Sequence, residues 1–206
     1  VEPVLNFAAN GTQFNSGAQL DFCYDEPVSL SLDQIGIGTG PFLLEWSTTW
    51  NGITVLNGNY ISVGDNLFSS VLPAGEHTVQ ITVIEDGYGC SHANSTPYNF
   101  VITVNPEPQA DILVNGTTIG WNYSEAFCVD DIISFALGTN MVAGNYNLQS
   151  ITWDVTYNGG TPVLSGSATN VGAGFDFNFT PASLPVGTYD FSLTGLTDAN
   201  GCSSAA

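Results

Sequence analysis

The stretch His77-Thr78-Val79-Gln80-Ile81-Thr82-Val83 places apolar side chains at every second position from Val79 onward, with polar residues between them. Val28-Ser29-Leu30-Ser31-Leu32 has the same period of two. Successive side chains of a β-strand point to opposite faces, so this period predicts strands with one face in a core. Turn signals such as Asn-Gly and Pro-x-Gly separate these runs, and no window shows a helical period. The sequence therefore predicts an all-β protein built from β-sandwiches.

The chain also repeats itself. Phe22-Cys23-Tyr24-Asp25 recurs 105 residues later as Phe127-Cys128-Val129-Asp130. Further matches follow in the same order at similar spacing, which predicts two tandem copies. Each copy has the length of one immunoglobulin-like sandwich of about 100 residues. We place repeat 1 at residues 1–105 and repeat 2 at residues 106–206.

Repeat 1 is predicted to contain the strands called A, A′, B, C, C′, E, F and G in immunoglobulin-like sandwiches. In repeat 1 we expect them near residues 3–9, 19–24, 28–35, 42–50, 53–56, 66–72, 77–85 and 98–104. Repeat 2 reaches Ala206 where its strand G is expected to begin, so we expect this repeat to lack its last strand. Either that strand lies beyond Ala206, or a strand from another chain takes its place.

Charge limits the partners of the chain. It contains 19 Asp and Glu residues and no Lys or Arg, which gives a formal net charge of −19. Nucleic-acid binding depends on Lys and Arg that neutralise phosphates, so nucleic acid is excluded as a partner. Anionic membrane surfaces are excluded for the same reason. No apolar stretch approaches the ~20 residues of a membrane span, so we expect no membrane insertion.

Four cysteines, Cys23, Cys90, Cys128 and Cys202, indicate an extracellular or cell-surface location if they are paired. Pairing within each repeat joins Cys23 to Cys90 and Cys128 to Cys202. Strands of about eight residues, however, separate the two ends of a sandwich by roughly 25 Å, and a disulfide needs Cα atoms about 5.5 Å apart. Opposite ends of neighbouring repeats meet in a head-to-tail array. We therefore favour a Cys23–Cys202 bridge across the junction, with pairing within each repeat as the alternative.

The same ends of the repeats gather acidic and amide side chains. Asp25 and Glu26 follow Cys23, and Asp198 and Asn200 precede Cys202. Carboxylates that converge without Lys or Arg repel one another, and Ca²⁺ relieves that repulsion through oxygen ligands. Calcium is therefore the one cofactor candidate. The competing interpretation is that Asp, Asn and Gly are ordinary turn residues, because no complete calcium-loop motif is present.

Aromatic residues suggest a second kind of site. Trp50 and Tyr157 occupy matching positions before an Asn-Gly turn, where aromatic rings can stack on sugars. They favour, as an alternative function, a carbohydrate-binding or enzyme-accessory module. The chain's two histidines, His77 and His92, have no nucleophile context, and Tyr189 replaces His77 in repeat 2. We therefore predict that the chain is not an enzyme.

The segment Gly187-Thr188-Tyr189-Asp190-Phe191, running to Asp198-Ala199-Asn200-Gly201-Cys202, resembles the ending of PKD-like and Ig-like repeats in surface proteins of Bacteroidota. Those proteins include giant adhesins of gliding motility, commonly exported by type IX secretion. The resemblance implies stalk or spacer repeats that hold a distal adhesive region away from the cell. It implies adjacent repeats of the same polypeptide as partners, with surface polysaccharide or other surface proteins as further candidates. Repeat 1 departs from the pattern at His77 and at Asp86-Gly87-Tyr88-Gly89-Cys90.

Overall fold

A computed structural model describes residues 5–35, 43–58, 64–85, 91–119, 123–128, 131, 133–142, 148–177 and 185–204. The chain forms two compact units, Val1–Asn105 and Pro106–Ala206. Every regular element in the described residues is a β-strand, and none of them is helical. The all-β prediction is confirmed.

Unit 1 is a sandwich of two sheets, in the orders β2-β1-β4-β7 and β3-β9-β8-β5-β6. Its described strands are β1 (Leu5–Ala9), β2 (Thr12–Phe14), β3 (Gln19–Cys23), β4 (Pro27–Ile35), β5 (Leu43–Trp50), β6 (Ile53–Gly58), β7 (Asn66–Val71), β8 (Gly75–Glu85) and β9 (Ser91–Asn105). This is the immunoglobulin-like arrangement of strands A, B and E against G, F, C and C′. All eight strands predicted for repeat 1 are present, whereas the short hairpin strand β2 was not predicted.

The hairpin between β1 and β2 depends on an Asn-Gly turn. Asn10 and Gly11 have φ angles of 47° and 80°, as a type I′ turn requires. The Asn10 side chain also accepts a hydrogen bond from the Ser29 backbone N–H at 2.7 Å, which ties the turn to β4. In unit 2, Asn115 accepts the same bond from Ser134 at 2.9 Å. The sequence Asn-Gly-Thr, which occurs at residues 10–12 and again at residues 115–117, therefore has one structural role in both units.

The core of unit 1 lies between its two sheets. Phe7, Leu30 and Leu32 from one sheet pack against Val79 and the remaining buried apolar residues of the other sheet. Burial of this kind, at roughly 25 cal/mol per Å² of apolar surface, is the main force that holds two such sheets together. The alternating stretch that predicts the fold thus supplies the face of β8 that is buried.

Unit 2 has a smaller set of described strands in two sheets, in the orders β11-β10-β12 and β14-β13-β15-β16. They are β10 (Gln109–Val114), β11 (Thr117–Ile119), β12 (Phe135–Val142), β13 (Leu148–Tyr157), β14 (Pro162–Val171), β15 (Tyr189–Thr197) and β16 (Ser203–Ser204). Strand β15 corresponds to β8, and the two-residue β16 stands where β9 lies in unit 1. Leu137, Ile151 and Trp153 are buried in its core, while Phe191 and Leu193 are only partly buried.

Candidate functional site

The candidate histidine of repeat 1 is a core residue. His77 in β8 has 0% exposure, so its imidazole cannot reach a substrate in solution. Its Nε2–H donates a hydrogen bond of 2.7 Å to the carbonyl oxygen of Pro73. Its ring also stacks on Trp50, with centroids 6.2 Å apart and planes 15° apart. These contacts give His77 a packing role. The side chain of His92 lies outside the described residues.

The replacement of His77 by Tyr189 preserves this arrangement in unit 2. The Tyr189 hydroxyl donates a hydrogen bond to the carbonyl oxygen of Pro185, four residues earlier, as His77 does to Pro73. Burial raises the pKa of the Tyr189 phenol above its usual value, and the neighbouring Tyr157 raises it further. A tyrosine that bonds back to the chain at the start of strand F is a known feature of immunoglobulin-like sandwiches. In both units the bond ties the Pro-x-Gly segment to the strand that follows.

The proposed sugar-stacking rings, Trp50 and Tyr157, each have a packing partner. Trp50 stacks on His77, and a Cβ built on Gly75 would lie 2.8 Å from its Nε1. Tyr157 lies 5.1 Å from Tyr189 between ring centroids. Its hydroxyl donates to the Val186 carbonyl at 3.0 Å. Both rings are partly exposed, so each retains an accessible side. In each unit, however, the ring already contacts the Pro-x-Gly segment that precedes strand β8 or β15.

A contact between a tryptophan and a glycine also repeats in the cores of the two units. Trp46 in β5 stands opposite Gly58 in β6, and Trp153 in β13 stands opposite Gly166 in β14. Each indole lies directly over the glycine: an added Cβ would be 2.6 Å from Trp46 or 2.1 Å from Trp153. Sequence analysis missed these glycines. The signal was present, because Val55-Leu56-Asn57-Gly58 matches Val163-Leu164-Ser165-Gly166 at the repeat spacing.

The cysteines differ in state. Cys23, the last residue of β3, is disulfide-bonded, and Cys202 is disulfide-bonded and 1% exposed. Cys128 is a free, exposed thiol, so a Cys128–Cys202 bridge is not formed in this structure. Cys90 lies outside the described residues. The favoured Cys23–Cys202 pairing joins residues of different units and stays a prediction.

The acidic residues of the candidate calcium site have local partners within their own units. Glu26 accepts hydrogen bonds from the Cys23 backbone N–H at 3.3 Å and from the Asn10 side chain at 3.3 Å. Asp25 is in the left-handed region, with φ of 62°, as suits a turn. In unit 2, Asp131 accepts a hydrogen bond from the Cys128 N–H at 2.7 Å, in a turn equivalent to that of Glu26. The acid three residues after Cys23 and the acid three residues after Cys128 therefore each stabilise a turn.

Asp198 has an unusual environment for a carboxylate. It is 1% exposed, and its Oδ1 accepts hydrogen bonds from the backbone N–H groups of Asn200 and Cys202, both at 2.9 Å. Its Oδ2 is buried with no hydrogen-bond partner among the described residues. Across those residues, no three His, Cys, Asp or Glu side chains are grouped so that they could hold a metal ion. Calcium at Asp25, Glu26, Asp198 and Asn200 stays a prediction, while the observed role of Asp198 is to organise the turn between β15 and β16.

Comparison with known proteins adds no relative: no protein-family model matches the chain, and no curated protein matches it significantly. Within the described residues, no helix is long and apolar enough to cross a membrane.

Proposed function

We propose that this chain forms structural stalk or spacer repeats of a large secreted cell-surface adhesin or filament, and that it has no catalytic activity. In this role the repeats hold a distal adhesive region away from the cell. The resemblance of the Tyr189 segment to spacer repeats of gliding-motility adhesins, exported by type IX secretion, motivates the proposal. Adjacent repeats of the same polypeptide are the main proposed partners.

One observation carries the proposal: the sequence positions that match between the two units make matching packing contacts and hydrogen bonds. The His77–Pro73 bond has its counterpart at Tyr189 and Pro185, and a glycine lies beneath each core tryptophan. A duplicated binding or catalytic module is expected to repeat a group of exposed functional side chains. A spacer needs to repeat only its architecture, and architecture is what the two units share.

Charge and oxidation state support a location outside the cell. A chain with 19 acidic residues and no Lys or Arg repels its own copies, which limits lateral aggregation of long stalks. Disulfide-bonded Cys23 and Cys202 suit an oxidising compartment. We further propose that these two cysteines pair with each other, so that bending load is shared covalently between neighbouring repeats.

Glycan-array and polysaccharide-pelleting assays on the oxidised chain test the stalk against its alternative. A spacer is expected to retain no glycan, and Trp50→Ala is expected to leave this result unchanged. Specific glycan binding that disappears in Trp50→Ala or Tyr157→Ala, while far-UV circular dichroism and an unchanged Tm show an intact fold, would establish a carbohydrate-binding module and overturn the spacer proposal. Asn57→Ala, an exposed substitution on β6, is the matched control.

A further inference from the structure

Four exposed turns between paired strands have the same dipeptide and nearly the same backbone conformation. Each contains an Asn-Gly pair with positive φ at both residues, between 47° and 51° at Asn and between 66° and 80° at Gly. The pairs are Asn10-Gly11, Asn51-Gly52, Asn115-Gly116 and Asn158-Gly159, and all four asparagines are exposed. Differences in reactivity between these turns must therefore come mainly from the contacts of the asparagine side chains.

An asparagine followed by glycine can react with its own backbone. The glycine nitrogen attacks Cγ of the asparagine, ammonia leaves, and a cyclic succinimide forms. Water then opens the ring at either carbonyl carbon, which yields aspartate or isoaspartate. Glycine favours the attack because it has no Cβ and its backbone adopts most conformations. The carboxamide must rotate toward the glycine nitrogen, so any hydrogen bond that holds it slows the reaction.

Three of the four asparagines are held by two hydrogen bonds to one residue of a neighbouring segment. The Asn158 backbone N–H donates to the Thr188 carbonyl oxygen at 2.8 Å, and Asn158 Oδ1 accepts from the Thr188 N–H at 3.0 Å. The same two bonds join Asn10 to Ser29 and Asn115 to Ser134. In each case the bond to Oδ1 must break before the carboxamide can rotate.

Asn51 is the exception among the four. Within the described part of the chain, neither of these two bonds is made by Asn51. The unit 1 equivalent of Thr188 is Glu76, 112 residues earlier. The backbone directly before Glu76 follows a different path, because Gly75 has a φ of 127° whereas Gly187 is not in the left-handed region. The carboxamide of Asn51 can therefore rotate without first losing a bond of this kind.

The other two Asn-Gly pairs of the chain are held by different contacts. Asn57-Gly58 lies within strand β6, where both residues are paired with β5. In Asn200-Gly201 the attacking nitrogen is already engaged, because the Gly201 N–H donates to the Asp198 carbonyl oxygen at 3.1 Å. The Asn200 N–H donates to Asp198 Oδ1 at 2.9 Å, which fixes the same turn.

We propose that Asn51 is a site of spontaneous modification, at which water converts the asparagine to aspartate and isoaspartate while the other turn asparagines persist. Either product adds one negative charge to the chain. Isoaspartate also routes the backbone through Cβ, which lengthens the two-residue turn between β5 and β6. A type I′ turn depends on the normal backbone of its two central residues, so isoaspartate opens this hairpin beside Trp50. The inference is independent of the stalk proposal.

The test incubates the whole chain in heavy-oxygen water at mildly alkaline pH and quantifies peptic peptides by mass spectrometry over time. Incorporated heavy oxygen marks each newly formed aspartate or isoaspartate. We expect Asn51 to convert roughly 2 to 12 times faster than Asn158, because one hydrogen bond contributes a factor of that size. Asn10 also donates through Nδ2 to Pro27 and Glu26, so it should convert at least about 10-fold more slowly than Asn51.

Two controls separate tertiary restraint from the chemistry of the dipeptide. In urea the four turn pairs should convert at similar rates, because unfolding removes their hydrogen bonds. In the folded chain, Thr188→Pro removes the N–H that holds Asn158 Oδ1, and it should raise the rate at Asn158 to about the rate at Asn51. Thr188→Ala keeps this N–H and is the matched control. Unchanged rates at Asn10 and Asn115 in both variants report an intact fold.

The relative rates decide the proposal. Equal rates at Asn51 and Asn158 in the folded chain overturn it. Faster conversion at Asn158 overturns it as well, because the bond to Oδ1 would then activate the carboxamide instead of restraining it. If Asn51 is faster than Asn158 by the same ratio in urea, local sequence sets the rate and the proposed role of the tertiary contacts is wrong.

Discussion

The glycine beneath each core tryptophan allows a quantitative prediction. Gly→Ala within a strand normally stabilises a protein by about 0.5–1 kcal/mol, because glycine loses more backbone entropy on folding. At Gly166 the new Cβ would lie 2.1 Å from Cζ2 of Trp153, and at Gly58 it would lie 2.6 Å from Nε1 of Trp46. Neither glycine has a left-handed φ, so steric overlap is the main cost.

The size of the effect follows from the overlap. Carbon atoms pack best at about 3.5–4.0 Å, so the Trp153 ring must move by roughly 1.4 Å and the Trp46 ring by roughly 0.9 Å. Overpacking of a core costs about 1–3 kcal/mol. After subtraction of the entropy gain, we expect Gly166→Ala to lower the free energy of unfolding of unit 2 by about 2 kcal/mol. Gly58→Ala should lower that of unit 1 by about 1 kcal/mol.

Differential scanning calorimetry measures both effects, and hydrogen exchange assigns each transition to a unit. A loss of 1 kcal/mol lowers Tm by about 4–8 °C in a domain of this size, so Gly166→Ala should lower one Tm by roughly 10 °C. The exposed neighbour Ser165→Ala is the matched control and should change Tm little. In a Trp153→Leu background the penalty of Gly166→Ala should largely disappear, because the two residues interact directly.

The reasoning fails if Gly166→Ala is neutral or stabilising, or if its penalty is the same in the Trp153→Leu background. Either result would show that the position of the Trp153 indole does not require a glycine at residue 166. A penalty larger at Gly58 than at Gly166 would contradict the link between overlap and cost.

Three further predictions concern the turns and the bridge. Asp198→Ala should cost unit 2 about 2–4 kcal/mol in urea unfolding, because the backbone N–H groups of Asn200 and Cys202 lose their acceptor. Asp198→Asn, which keeps the Oδ1 acceptor, should cost clearly less, and equal losses would refute this role. Because the pKa of Tyr189 is raised, its contribution to stability is complete below pH 10.0 and is lost as the pH rises through the raised pKa. Tyr189→Phe should therefore remove the part of the alkaline decline in Tm that this phenol causes. An unchanged decline would contradict the role of Tyr189. If Cys23 pairs with Cys202, pulling the oxidised chain by its ends should release only about 26 residues, roughly 9 nm, whereas the reduced chain or Cys23→Ser should release roughly 70 nm; full release from the oxidised chain would exclude the bridge.

The local pattern of side chains predicted most of the fold. Alternation in residues 28–32 and 77–83 identified β4 and β8, because a strand's side-chain period is a property of its own backbone. Four Asn-Gly pairs marked hairpins because both of their residues adopt positive φ: Asn10-Gly11, Asn51-Gly52, Asn115-Gly116 and Asn158-Gly159. Only the three-residue β2 was missed in repeat 1, being too short to show a period.

The candidate site was harder to predict, because it depends on which strands become neighbours. Trp50 and Tyr157 are predicted as sugar-stacking rings, and each packs against a residue near the start of the neighbouring strand, His77 in β8 or Tyr189 in β15. Asp198 was suggested as a metal ligand, yet its carboxylate is buried and bonded to its own turn. Exposure and hydrogen-bond partners are set by strands distant in sequence, so residue type alone could not assign these roles.

Period, turn chemistry and internal repetition, all readable along the chain, determined the strands and the tandem architecture. Register is a tertiary property, and it decided that Gly58 and Gly166 lie beneath tryptophans and that His77 and Tyr189 make the same bond. The physical reason is that a strand's own sequence determines which face is apolar, whereas hydrogen bonding between strands determines what lies beside it.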